Sequence, residues 1–327
     1  MTCVACIDIG TVTCRLAVAE VRGGRVERLA KSSTICDLGE GLSATGRISP
    51  AARDRVLACV DRYLPSAREG GARVACCTLT SAARDAENSD ELVGALAARG
   101  LRPQVIPGQV EGSLTFLGVA QDFGGQRILV ADNGGGSTEL ALGTLGPQGL
   151  ALDAVRSVDV GCRRVTERFL SAGDPPSGED VGRARAFARG FFEQAVAEER
   201  IAQLAPGRLV VTGGTVTTLV AVRKRLVPYD SSQVHLARLT RGEVEALVDQ
   251  LASITVEERR ALPGIQAKRA PVILGGAVAI SELMRATGFD ELTVSESDLL
   301  FGLSLCEAAA FDGGEAPLPW RPDIALL

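Results

Sequence analysis

Residues 132–140 read DNGGGSTEL and directly follow the apolar run RILVA. An ordered glycine costs backbone entropy, so three in succession need a reason. The obvious one is a loop whose N–H groups close around phosphate oxygens, where only glycine allows so close an approach. The familiar nucleotide loops do not account for it, because the chain has no G-x-x-x-x-G-K-[ST] and these glycines do not fit G-x-G-x-x-G. A second stretch does. VACIDIGTVTCRLAVAEV, near the start of the chain, aligns without gaps on ILVADNGGGSTELALGTL. Asp8 falls on Asp132, Gly10 on Gly134, Thr13 on Ser137, Arg15 on Glu139 and Leu16 on Leu140, all at one constant offset. Each copy is an apolar strand ending in Asp, a glycine turn and a second alternating strand, which predicts a β-hairpin. Two hairpins, one opening each half, predict a duplicated fold.

The segments between the copies alternate in period. SPAARDRVLACVDRYL reads as a helix with Ser49 as N-cap and Pro50 at its first position. ARVACCTLTS reads as a strand, ENSDELVGALAARG as a helix, LRPQVIPG as a short strand and QVEGSLTFLGVAQDF as a helix. In the second half SGEDVGRARAFARGFFEQAVAEER is a long helix and GRLVVTGGT a strand ending in glycines. TRGEVEALVDQL and TVEERRAL each begin with a Thr-x-x-Glu capping box, and APVILGGAVAISELM and ELTVSESDLLFGL carry strand and helix signals. The class is α/β in two similar domains, 1–124 with about 298–327 packing back, and 125–297. Ligands in such architectures sit outside the strand ends, where both hairpin turns point.

Composition agrees with a soluble globular chain: 327 residues, 46% hydrophobic and 23% charged. A net charge of −5 argues against general nucleic-acid binding, and no apolar run approaches the roughly 20 residues of a membrane span. The cations are mainly arginine, since only Lys31, Lys224 and Lys268 are lysine. Nine cysteines, an odd number without a secretory leader, point to reduced thiols in the cytoplasm. Cys3 and Cys6 form a C-x-x-C on a strand, where positions three apart face opposite sides, so all nine read as small core fillers.

Three glycine and hydroxyl turns could carry chemistry: residues 8–13, 132–138 and TGGTVTT at 212–218. Two such turns can present backbone donors and hydroxyls to one phosphate. The repeat sets Arg15 against Glu139, a cation in one turn and a carboxylate in the other. A carboxylate beside phosphate calls for Mg²⁺, with Asp8, Asp132 and Glu139 as candidate ligands.

Taken in order, CIDIGTVTCRLAV, TLTSAARDAEN, IPGQVEGSLTFLGV, DNGGGSTEL, SVDVGCRRVTERFL, VVTGGTVTTLVAV and LTVSESDLLFGL resemble the motifs of the exopolyphosphatase and guanosine pentaphosphate phosphatase (Ppx/GppA) family over nearly the whole chain. The resemblance implies a duplicated actin-like, ribonuclease H-like, two-domain fold with the active site in the interdomain cleft. It also implies Mg²⁺-dependent hydrolysis of a terminal phosphoanhydride, of inorganic polyphosphate or of pppGpp, by a cytoplasmic enzyme that forms homodimers. Carried across by position, Glu111 is the general base on the attacking water. Arg84 is a phosphate-binding arginine with Asn88 one helical turn on, and Asp132 and Glu139 orient metal or water. Gly134, Gly135, Gly136, Ser137 and Thr138 hold the phosphate, assisted by Gly10, Thr11, Thr13 and Arg15 from the first turn and Gly213, Gly214 and Thr215 from the third.

Two departures stand out. Val12 and Thr13 occupy the place of the family's Asn-Ser, and QVEGS replaces its EEEAR, leaving Glu111 without acidic neighbours and Ser113 where an arginine is usual. The extra helical and HD-type domains of long members are not expected. Other readings remain open at this point: pppGpp 5′-phosphohydrolase, a protein that binds polyphosphate or nucleotide without turnover, or a kinase, for which no adenosine pocket is legible. Apart from the resemblance, Glu111 reads as a solvated helix-start acid and Arg84 as a surface ion pair. His235 reads as a hydrogen-bonded structural residue, and Glu296 and Asp298 as helix caps. Arg163, Arg164 and Arg168 fit either a polyphosphate track or a solvated helix face.

Overall fold

Both halves of the chain build the same sheet. In the first, β1 (Thr2–Ile9) pairs antiparallel with β2 (Thr13–Arg22), which pairs with β3 (Arg25–Ile35). β1 also lies parallel to β4 (Val74–Leu79), which lies parallel to β5 (Pro103–Val105). In the second, β6 (Arg127–Asn133) pairs with β7 (Thr138–Gly146), followed by β8 (Gly149–Val158). β6 lies parallel to β9 (Leu209–Thr212), and beyond it stand β10 (Arg238–Thr240) at the edge and β11 (Glu291–Val294) next to β9. The common order is β3-β2-β1-β4-β5 in one sheet and β8-β7-β6-β9-β11 in the other. β12 (Ile324–Leu326) adds to β4 in the first.

The computed structural model describes residues 1–327. Contacts divide them into one unit of Met1–Gly124, Leu145–Leu150 and Asp298–Leu327, and another of Gly125–Thr144 and Ala151–Ser297. No helix is long and apolar enough to cross a membrane.

Burial explains the strand sequences. β1 and β4 are central and covered on both faces, hence their nearly unbroken apolar runs, whereas β3 at the edge is charged and mostly exposed. The two-residue period of β1 sends Ala5, Ile7 and Ile9 into a core shared with Val56, Val60 and Tyr63 of helix Pro50–Glu69. The other face carries Val4, Cys6 and Asp8 and is covered by helix Leu299–Asp312. In the second unit Leu129 and Ala131 play the part of Ala5 and Ile7.

Helix starts follow the capping signals. The Ser49 hydroxyl accepts from Ala52 N with Pro50 at the first helical position, and the Thr240/Glu243 and Thr255/Glu258 boxes are both closed. Residues 273–284, which carried mixed strand and helix signals, are all helix (Ile273–Thr287) and all buried. That helix contains Glu282, which has no solvent exposure and binds Arg185 Nη1 at 2.9 Å and Arg189 Nε at 2.8 Å. Glu282→Ala removes one of the two carboxylates that pair with the largely buried Arg185, Glu245 remaining at 2.8 Å, and should lower stability in chemical denaturation by up to about 3 kcal/mol. Full stability in the variant would show the pair to be dispensable.

Candidate functional site

The two hairpin tips repeat one construction. Gly10 N donates to Thr13 O at 2.9 Å, and Gly134 N donates to Ser137 O at 3.0 Å, leaving Thr11-Val12 and Gly135-Gly136 as two-residue tips. The carbonyls of each tip are tied down. Thr11 O accepts from Gly39 N at 2.8 Å, and Val12 O accepts from Cys36 N and Asp37 N, both at 2.9 Å. Gly135 O accepts from Arg163 N at 2.9 Å and Arg164 N at 3.2 Å, and Gly136 O accepts from Arg164 Nε at 2.7 Å. No hydrogen bond within the chain uses the N–H groups of Thr11, Val12, Gly135 or Gly136. Adjacent backbone donors held this way form a concavity suited to an anion. Gly161 makes the second tip possible, because a Cβ there would lie 2.4 Å from Gly135 O.

The surroundings of the tips differ in charge. In the first unit Asp8 and Arg15 are register partners, and Arg15 Nη2 and Nε reach Asp8 Oδ2 at 2.7 and 2.9 Å. Thr78 donates to Asp8 Oδ1 at 3.3 Å. Arg15 Nη1 and Lys31 Nζ each lie 3.1 Å from Asp298 Oδ2. Burial pushes the Asp8 carboxyl up despite Arg15, while Lys31 and Arg15 outweigh burial at Asp298 and hold it below the usual carboxylate range. Arg15 is thus engaged by two acids, where the sequence suggested a cation offered to phosphate. Asp298 does cap helix Leu299–Asp312 through Leu300 N at 3.0 Å, as expected, but it also closes this charge network.

The same unit joins Glu111 and Arg84. Glu111 stands in the first turn of helix Gly108–Val119, and it is buried rather than solvated. Its Oε2 accepts from Arg84 Nη1 at 2.6 Å, and that nitrogen also donates to Ile106 O at 3.0 Å. Arg84 therefore orients the acid. Asn88 is not one helical turn further on, since the Arg84 helix ends at Asp85. Its carboxamide is committed to the backbone of Ile48, accepting from N at 2.8 Å and donating to O at 3.0 Å.

In the second unit Asp132 and Glu139 are register partners and both are buried. Glu139 Oε1 accepts from Ser137 Oγ at 2.7 Å and Ser157 Oγ at 2.8 Å. Thr138, on the opposite face, accepts from Asn133 Nδ2 at 2.9 Å and donates to Val160 O. The third glycine stretch is no open turn, because helix Gly214–Lys224 begins directly after Gly213. Gly213 has φ +106°, and a Cβ there would lie 3.1 Å from Asp132 Oδ1, so this backbone closes on Asp132. Thr215 is buried, its hydroxyl beside Gly276. The arginine cluster divides: Arg164 supports Gly136, Arg163 pairs with Glu167 at 3.1 Å, and Arg168 stacks on Phe169 and Phe187. His235 Nδ1 accepts from Glu296 N at 3.2 Å, a structural bond as its sequence context suggested.

The donor chemistry supports a hard divalent cation in the second unit. Two buried carboxylates stand opposite each other on one face, oxygen donors of the kind a hard divalent cation takes. At the duplicated position in the first unit Arg15 already neutralises Asp8, which makes Asp8 the weaker of the three candidate ligands. Sequence reasoning passed over Lys31, Ser157 and Arg269. Lys31 carried a signal in its rarity, as one of three lysines among 35 basic residues. Arg269 lies across Gly214, 2.1 Å from where a Cβ would stand, and nothing in its local sequence marks it.

Comparison with known proteins agrees with this architecture. The profile of the Ppx/GppA phosphatase family matches residues 17–305. Exopolyphosphatase 2 of Mycobacterium tuberculosis (strain ATCC 25618 / H37Rv) is 36% identical over 323 residues, covering 93% of this chain and 98% of the relative. A solved exopolyphosphatase-like protein superimposes with a TM-score of 0.85 at 30% identity, covering 93% of this chain and 97% of the other. The Aquifex aeolicus member of the Ppx/GppA family gives 0.78 at 28% identity, covering 96% and 99%. The fold is the duplicated actin-like α/β fold that the sequence led us to expect.

Proposed function

Because the chain belongs to the Ppx/GppA phosphatase family, we propose that it is an exopolyphosphatase, hydrolysing the terminal phosphoanhydride of inorganic polyphosphate to release orthophosphate. The observation that carries this reading is the pair of unpartnered N–H groups at Gly135 and Gly136, in a tip whose carbonyls are all held. Such donors bind phosphate oxygens without first having to reorganise. Phosphoryl transfer asks mainly for positioning and charge neutralisation, plus a base for the incoming water. Glu111 is that base: it takes a proton as the water oxygen bonds to the terminal phosphorus and the bridging oxygen leaves with the shortened chain. Arg84, anchored on Ile106 O, keeps the carboxylate aimed. The Thr11 and Val12 N–H groups form the corresponding donor pair in the first unit. Asp132 and Glu139 are the residues that would hold Mg²⁺, which when bound neutralises phosphate charge. Nine free cysteines favour a reducing compartment, the cytoplasm.

The test is orthophosphate release from short polyphosphate, long polyphosphate and pppGpp, with Mg²⁺ and with EDTA. Release from polyphosphate that EDTA abolishes and added Mg²⁺ restores is the expected result. Release from pppGpp alone would move the substrate assignment, and no release from any substrate would sink the enzyme reading.

A further inference from the structure

A second cluster of ligating side chains lies in the first unit, on the β1 face that also carries Asp8. Cys6 and Cys76 are register partners across the parallel strands β1 and β4, so both side chains leave the sheet on the side covered by helix Leu299–Asp312. Ser304 and Glu307, one turn apart on that helix, meet them. Cys6 Sγ lies 3.1 Å from Glu307 Oε2 and 3.5 Å from Ser304 Oγ. Cys6, Cys76 and Glu307 offer two sulfurs and a carboxylate oxygen that all lie within 4.8 Å of one another. All four side chains belong to residues with 0% exposure.

Small thiols filling a core would explain the cysteines but not Glu307. A carboxyl group wholly removed from water needs partners for both oxygens, and Glu307 Oε1 has none within the chain. Apolar residues would fill the same space without that cost. Ser304 Oγ gives its proton to Leu300 O at 2.7 Å, which leaves its lone pairs toward Cys6.

We propose that Cys6, Cys76 and Glu307, completed by the Ser304 hydroxyl oxygen, bind one borderline-soft divalent cation, Zn²⁺, that clamps helix Leu299–Asp312 to β1 and β4. Two thiolates with oxygen donors at four corners suit zinc, whereas Mg²⁺ demands six oxygens, so this site is separate from the one at Asp132 and Glu139. On binding, both thiols and the carboxyl group give their protons to solvent, and the cation neutralises two of the three negative charges they leave. The clamp has a structural purpose, because Asp298 at the start of the same helix holds Arg15 and Lys31.

The full-length protein, expressed with zinc present and dialysed against EDTA, should retain about one zinc per chain by elemental analysis. Cys76→Ser and Glu307→Gln, which nearly preserve size, should lose it and melt at lower temperature while keeping their circular dichroism. A wild type that retains no zinc, or zinc that survives both substitutions, overturns the proposal. Should either variant fail to fold, wild type refolded with Co²⁺ decides: a thiolate-to-cobalt charge-transfer band supports the site, and refolded protein without that band refutes it.

Discussion

Glu111→Gln should lower kcat for orthophosphate release by roughly 10²–10⁴-fold with KM nearly unchanged, the loss expected when a general base is removed and binding groups are left in place. The substitution keeps the size of a buried side chain and its place in the first turn of helix Gly108–Val119. What disappears is the charge that faces Arg84 Nη1 at 2.6 Å and the capacity to accept a proton. Arg84 keeps its bond to Ile106 O, so the guanidinium stays near its position and the fold should survive. Steady-state kinetics on polyphosphate, with circular dichroism as the folding control, separate the two effects. Equal turnover in wild type and variant would remove Glu111 from the chemistry and leave it a structural partner of Arg84. A rise in KM at constant kcat would reassign it to binding.

Gly161→Ala should be nearly as damaging to activity, through the backbone alone. Its Cβ would stand 2.4 Å from Gly135 O and 2.5 Å from the carbonyl carbons of Gly135 and Gly136. None of these atoms is the far end of a flexible side chain. The tip cannot simply swing aside either, because Gly134 O, Gly135 O and Gly136 O are bound by Cys162 N, the Arg163 and Arg164 amides and Arg164 Nε. A displacement of about 1 Å at a positioning group costs about 10²-fold in rate. Forcing extra volume into packed backbone costs about 1–3 kcal/mol. Gly182→Ala is the control: it lies in helix Gly178–Glu198, and its Cβ would meet nothing within 4 Å. If both alanine variants kept wild-type kcat/KM, the tip would not be the phosphate cradle.

The hairpins were legible in the sequence because a strand with Asp at its end and glycine two places later is a local signal, and its recurrence at a constant offset doubles its weight. The capping boxes at Thr240 and Thr255 were legible for the same reason, since cap chemistry is complete within four residues. Pairing was not. Arg15 looked available to phosphate because its partners, Asp8 across a strand pair and Asp298 near the other end of the chain, are brought to it only by the folded sheet. Asn88 looked like a ligand-facing amide until Ile48, forty residues earlier, took both its polar atoms. The stretch at 212–218 has the composition of a turn, yet β9 ends at Thr212 and the hydroxyl residues after Gly213 wind into a helix. Cys6 and Cys76 read as filler because neither strand contains any hint of Glu307. In each case composition described the segment correctly, and the long-range neighbour decided its use.

The repeated hairpin gives one backbone two resting charge states. In β1–β2 an acid faces a base, so that arm is electrically complete whatever the solution contains. In β6–β7 the same two positions both carry carboxylates, and the Ser137 and Ser157 hydroxyls donate to that of Glu139. One exchanged residue along a duplicated design, Arg15 against Glu139, is what sets the charge of the two arms apart.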